Sequence, residues 1–316
     1  MLRFAAALDL ARAVLSLASP RPPRRARSWS RTDAAALAVP IAGALLAGCH
    51  DQAKESAAHA APDAAWLAEL VTKDVGEVER GLPEGAEKLA TLLANGADPR
   101  QDIAGVRKAL QRVRRQVIDL NVAKSTFFAL TDADGVGIRN DLEEDVMAGQ
   151  NLAALFPAIA KAKGGYATGT GVFPPPPGAP PPATKDEDWI AGAPVKRADG
   201  STGALLVTGW SYRYFARHLQ EALKTHLLEE EKASGQEGKF PVYYTAVFDK
   251  GGVYAAPLTP DVDTKTLASQ DLAAKTAGGP VTGTLTIDDR PFGFAALLTP
   301  KLGADTGVVV LRSDDL

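Results

Sequence analysis

The side chains with the clearest chemical potential lie in "DADGVGIRNDLE", residues 132–143. Read as a calcium loop, Asp132 takes position 1, Asp134 position 3, Gly137 position 6 and Glu143 position 12. Val136 then falls at position 5 and offers no side-chain oxygen. Arg139 stands at position 8, where an apolar residue belongs, and "STFF" upstream is β-branched and aromatic rather than helical. The segment therefore reads as a hairpin turn in which Asp and Gly supply the geometry. The histidines are His50, His59, His218 and His226. His218 and Glu221 sit three apart on a predicted helix and could share a metal, but no second ligand motif accompanies them. A solvated helix face is the ordinary reading. Ser211, in "GWSYR", lacks the Gly-x-Ser-x-Gly pattern, and no Walker loop is present. We find no catalytic set. The expectation is a non-enzyme without metal or cofactor, in which changing Ser211 or His218 leaves function intact.

The single cysteine, Cys49, excludes an internal disulfide and a Cys-based zinc cage. It follows a basic, proline-broken stretch, "RPPRRARSWSR", and an apolar run, "AAALAVPIAGALLAG". That run has the length of a signal-peptide core and is too short for a comfortable membrane span. It ends in Leu46, Ala47 and Gly48, a sequence that resembles the bacterial lipobox. The resemblance implies that the Cys49 thiol accepts a diacylglyceryl group and that cleavage makes Cys49 the first residue. Each buried CH₂ of an acyl chain is worth about 0.8 kcal/mol, so two or more chains make a stable anchor. The expected location is the cell envelope, lipid-anchored and facing the periplasm or exterior.

Composition is that of an ordinary globular chain, 46% hydrophobic and 23% charged, with a net charge of −3. No global field favours nucleic acid. The elements that must position any site read as follows. Residues 1–48 form a lipoprotein signal peptide and 49–65 a tether. Residues 66–124 are helical, with a break near Gly81-Leu82-Pro83 and a longer helix from Gln101 to Lys124. Ile103, Val106, Leu110, Val113, Val117 and Leu120 give that helix one apolar stripe. Residues 125–210 carry strand, strand, a helical stretch over 141–162, and three more strands. A connecting helix falls in 211–239. Residues 240–316 then repeat the order of the first unit, with a helical segment over 262–277. "VFPPPPGAPPPATKDED" interrupts the first unit as an exposed insertion, because polyproline cannot pair inside a sheet.

This order resembles the extracytoplasmic Cache family of PAS-like sensor modules. The residues that carry the resemblance are the long helix leading into "FFALTDADGVGIRND", the stretch "WIAGAPVKRADGSTGALLVTGWSYRYFARHLQEAL" and the echo "YYTAVFDKGGVYAAP". The implied fold class is α+β, a long N-terminal helix followed by one or two PAS/Cache-like modules with antiparallel sheets, two in tandem resembling a double Cache arrangement. The family's amine-ligand pattern, Arg-x-Trp-Tyr, is missing between Asp141 and Trp189, so amino-acid binding is not implied. Family members usually continue into a membrane helix and a signalling region, whereas this sequence stops at Leu316. Any output is therefore expected to pass to a separate partner, a membrane sensor or envelope protein.

PAS-like modules hold ligands between one sheet face and the helices after the first hairpin. That geometry, implied by the resemblance, selects Arg139, Tyr166, Trp189 and Trp210 as ligand-binding residues. Period two places Trp189 with Ala191 and Ala193 on one face, an aromatic beside small residues that leave room. The ordinary reading of Trp189 and Tyr166 is that they fill the core. The functional expectation is a lipid-anchored sensor that binds a small molecule without converting it. The alternative is a structural or interaction lipoprotein that keeps the fold with a filled pocket.

Overall fold

The computed structural model describes residues 33–94, 98–122, 127–174, 186–235 and 240–314. Most of the expected signal peptide and most of the polyproline insertion lie outside the described residues. The lipobox positions Leu46, Ala47, Gly48 and Cys49 have a described backbone, which is helical, but their side chains do not belong to the described ones. The chain divides into Met1–Leu46 and Ala47–Leu316, and the packing below belongs to the second unit. No helix among the described residues is long and apolar enough to cross a membrane.

Helix α1 (Asp33–Leu93) is uninterrupted. Its buried stripe runs Ala53, Ala57, Ala60, Ala64, Leu67, Val71, Val75, Val78, Leu82, Ala86 and Leu89. The mean spacing of about 3.6 is that of a straight helix. Two expectations are corrected here. Residues 49–65 are not a free tether: they are helix, and buried alanines appear from Ala53 onward. The break at Gly81-Leu82-Pro83 does not occur either. A proline inside a helix costs about 3 kcal/mol. Here the apolar stripe continues through Leu82 to Leu89, and its burial offsets that cost.

Helix α2 (Ile103–Gln116) buries Val106, Leu110 and Val113 and is capped by Asp102, whose side chain accepts the Gly105 N–H at 2.9 Å. It ends earlier than Lys124. Val117 is extended, and a short helix α3 (Ile118–Val122) follows.

The first sheet contains β1 (Phe127–Asp132), β2 (Gly137–Asn140), β3 (Ala167–Gly171), β4 (Asp188–Lys196) and β5 (Thr202–Ser211). Its order is β2-β1-β5-β4-β3, antiparallel throughout. Helix α6 (Tyr212–Ser234) leads to the second sheet of β6 (Val242–Asp249), β7 (Gly252–Ala255), β8 (Val281–Ile287), β9 (Arg290–Leu298) and β10 (Gly307–Ser313). The second order, β7-β6-β10-β9-β8, is the same topology, so the repeat of element order is real.

The helical stretch expected over 141–162 is only α4 (Leu152–Leu155) and α5 (Pro157–Lys161). Polar side chains divert the backbone before them. Asn140 Oδ1 accepts the Leu142 N–H, and Asp145 Oδ1 accepts those of Met147 and Ala148. Such local bonds compete with helix. The stretch over 262–277 likewise divides into α7 (Asp261–Ala268) and α8 (Leu272–Thr276), parted by Asp271 in the left-handed region.

Three apolar clusters hold these layers. The largest joins α1, α2 and α6 to one face of both sheets, including Trp189, Leu206, Val247, Ala295 and Val310. A second lies between the other face of the first sheet and α4–α5. A third packs α7–α8 on the second sheet. α1 meets the second sheet closely. A Cβ on Gly293 of β9 would fall 1.9 Å from the Ala57 nitrogen, so glycine is required where backbone lies on backbone.

Candidate functional site

Trp189 and Trp210 face each other across β4 and β5. Their rings stack at 4.3 Å and 19°, and Trp210 stacks on Phe215 of α6 at 4.6 Å. Both are fully buried. Trp189 does share a face with Ala191 and Ala193, but that face turns toward the helical cluster around α1 and α6. The room beside the small residues is filled by helix. The two tryptophans therefore stand in the core, on the side of the sheet opposite α4–α5, and the expectation that they line a cleft there is corrected.

Arg139 is also committed. Its guanidinium pairs with Asp145 at 3.0 Å and donates to the carbonyls of Leu142 at 2.6 Å and Glu143 at 3.1 Å. It pins the loop after β2. The face expected to hold a ligand is filled by Phe127, Ala129, Leu152, Phe156, Ile159, Ile190, Leu205 and Val207. Phe173 closes against Phe127 and Phe156 at 5.3 and 4.8 Å. Cβ atoms on Gly169 and Gly192 would meet Ala158 at 2.6 Å and Ala162 at 2.9 Å, so α5 lies directly on β3 and β4.

Tyr166 differs. It lies just before β3, half-buried against the helical cluster. It lines a cavity of about 340 Å³ with Pro83, Glu87 and Ala90 of α1, Gly165, and Pro194 and Lys196 of β4. That volume suits a small ligand. The Tyr166 hydroxyl is buried and has no hydrogen-bond partner. Burial, followed by the negative charge of Glu79, pushes its pKa up, so the phenol keeps its proton and remains a donor. Glu87 and Lys196 are exposed and stand on the cavity wall. The α1 and β4 residues of this site were not selected from the sequence. Only an unbroken α1 brings residues 83, 87 and 90 against β4.

The remaining candidates have structural work. The Asp132 carboxylate accepts the N–H groups of Asp134 and Val136 at 2.9 Å and pairs with Arg100, forming the β1–β2 turn. Glu143 pairs with Arg107 instead. His218 does not lie on a solvated face. It is mostly buried and its Nε2 is 2.9 Å from Asp74 of α1, while Glu221 pairs with Arg217. Ser211 caps α6 by accepting the Tyr214 N–H at 3.2 Å. Among the described residues, no group of three or more His, Cys, Asp or Glu side chains could hold a metal.

No family model matches the chain, and no curated protein matches it. Solved structures do. The extracellular domain of vpHK1S-Z8, assigned as a histidine kinase, aligns with a TM-score of 0.50 at 10% identity, over 84% of this chain and 93% of that one. The fold is that of PAS/Cache-like modules. The periplasmic domain of Vibrio cholerae LuxQ aligns at 0.46 and 12% identity, over 80% and 98%. An extracellular ligand-binding receptor from Desulfohalobium retbaense DSM5692 aligns at 0.43 and 12% identity, over 79% of this chain; the chain spans 39% of that receptor.

Proposed function

We propose that the chain is an extracytoplasmic sensor module, held at a membrane by lipid on Cys49. In this reading it takes a small molecule in the Tyr166 cavity, does not convert it, and passes the event to a separate membrane sensor or envelope protein. One observation carries the reading: a buried phenol with an unused proton on the wall of a 340 Å³ cavity. A buried donor without a partner costs about 1–3 kcal/mol, and a ligand acceptor recovers it. The fold shared with a histidine kinase's extracellular domain supports the sensor class.

The test is a thermal-shift screen of the full chain in detergent against a broad metabolite set. A ligand at 100 times its Kd adds about 2.7 kcal/mol. Tyr166→Phe keeps the packing and removes only the proton, so affinity falls about 2–10-fold. A saturable shift that Tyr166→Phe leaves untouched refutes this placement. A second reading is favoured by the filled α4–α5 face of the first module, an interaction lipoprotein with no small ligand. A flat screen together with a stoichiometric crosslinked envelope partner selects it.

A further inference from the structure

Glu187 leads into β4 of the first module, whereas Asp249 and Tyr254 belong to the β6–β7 hairpin of the second. The Tyr254 Oη lies 2.9 Å from Glu187 Oε2 and 3.1 Å from Asp249 Oδ1. A phenol has one proton and can donate to one carboxylate only. The second contact needs a proton on a carboxyl group. Asp249 Oδ1 already accepts the N–H groups of Gly251 at 2.6 Å and Gly252 at 3.1 Å, so this oxygen is engaged as an acceptor and carries no proton to share. The proton therefore belongs on Glu187. Its acid hydroxyl donates toward Tyr254 or Asp249, and the phenol donates to Asp249.

The surroundings agree. Asp186 and Asp188 flank Glu187 in its own segment, and Asp249 faces it from β6. Thr170 of β3 offers a hydroxyl, and the phenols of Tyr212 and Tyr254 stay neutral. Arg213 of α6 is the nearby cation, but its Nε donates to the Ala255 carbonyl and its charge acts on Asp186. Lys250, at the hairpin tip, pairs with Asp305. No cationic side chain among the described residues pairs with Glu187. Burial, then Asp249, raises the Glu187 pKa.

We propose that Glu187, Tyr254 and Asp249 form a proton-closed latch between the two modules, shut while Glu187 is protonated and released when it ionises against Asp249. Because the folded pKa is raised, the latch contributes fully below the unfolded Glu value of about 4.3 and is lost as pH rises through the folded value. Asp188, held up to about 6 by burial, adds its own loss of stability between about pH 4 and about 6.

The experiment is urea unfolding of the full chain from pH 4 to 8, beside hydrogen exchange of the β6–β7 amides. The wild type is expected to lose stability as pH rises, with smaller hairpin protection factors at pH 8, exchange rates being divided by the intrinsic rate at each pH. Glu187→Gln is neutral at every pH. Between the unfolded value and the latch pKa it retains a factor of about 10 in folding constant per pH unit that the wild type loses, and its hairpin protection factors no longer change with pH. Asp249→Asn removes the repulsion from the other side and should give the same flattening, should the first variant fold poorly. An Asp188→Asn control should leave the Glu187-dependent part in place. If Glu187→Gln and Asp249→Asn both keep the wild-type slope, or the hairpin is equally protected at pH 5 and 8, the latch is refuted.

Discussion

Replacing Gly293 with Ala tests how α1 is seated. The added methyl would lie 1.9 Å from the Ala57 nitrogen and 2.4 Å from both Ala57 Cα and the Ser56 carbonyl carbon. Ordinary contact between heavy atoms is about 3.5–4.0 Å, so α1 must retreat by about 1.5 Å or more. Those atoms are backbone, and no rotamer change can relieve them. A retreat opens the seam along Ala53, Ala57, Ala60 and Ala64, where a gap of even about 0.5–1 Å forfeits a quarter to a half of the dispersion well. It also stretches the buried Arg312–Asp63 pair at 2.7 Å and the Asp314 N–H bond to Ser56 Oγ at 3.0 Å. Overpacking alone costs about 1–3 kcal/mol. Loosening a buried ion pair adds to that, while losing glycine's freedom in the unfolded chain returns about 0.4–1 kcal/mol. A net loss of about 3 kcal/mol is expected in urea unfolding followed by far-UV circular dichroism. Gly278→Ala, where an added methyl meets nothing within 4 Å, should stay within about 0.5 kcal/mol of wild type. A Gly293→Ala loss below about 1 kcal/mol would show that α1 does not rest on β9 in this way.

Other expectations follow from the same contacts. His218→Ala strands the buried Asp74 carboxylate between α1 and α6 and should cost about 3 kcal/mol, read as a lower urea midpoint, whereas Asp74→Asn in the same background should restore part of it. Asp188→Asn should remove the component of the stability–pH profile that the wild type loses between pH 4 and about 6; an unchanged profile contradicts the raised carboxyl. Arg139→Ala frees Asp145 and the carbonyls of Leu142 and Glu143, so amide exchange over 142–145 should accelerate about tenfold or more while any thermal shift that Tyr166→Phe reduces stays at its wild-type size. Cys49→Ala should release the protein from membranes and abolish acyl mass at the mature N-terminus; continued membrane retention with no acyl mass would overturn the anchor.

The strands were readable because alternation and punctuation are local signals. Asp134-Gly135 and Lys250-Gly251-Gly252 mark two hairpins in which the Asp132 and Asp249 carboxylates bind turn amides. The 3–4 spacing of Val106, Leu110 and Val113 marked α2 in the same way. What escaped the sequence was non-local. Period two correctly grouped Trp189 with Ala191 and Ala193, yet it carries no information about which layer covers that face. The answer depends on α1, whose continuity past Pro83 is supported by burial against distant strands and not by helix propensity. The Tyr166 cavity was hidden for the same reason, since its walls come from residues 83–90, 165–166 and 194–196. Arg139 was misread because a lone arginine near a turn gives no sign that four acceptors from the next six residues, on Asn140, Leu142, Glu143 and Asp145, will surround it.

The seating of α1 on β9 also governs when this protein can finish folding. Ala57 and Gly293 are separated by ~236 residues, and Asp63 waits for Arg312 of β10. At synthesis rates of about 5–20 residues per second, the early helix is exposed for roughly 10–50 s before its partner strand exists. During that interval its alanine-lined seam has nothing to cover it. The nascent chain can close the first module early, but the joint core remains open until β9 and β10 have been made, and contacts of such long range make that step the slow one.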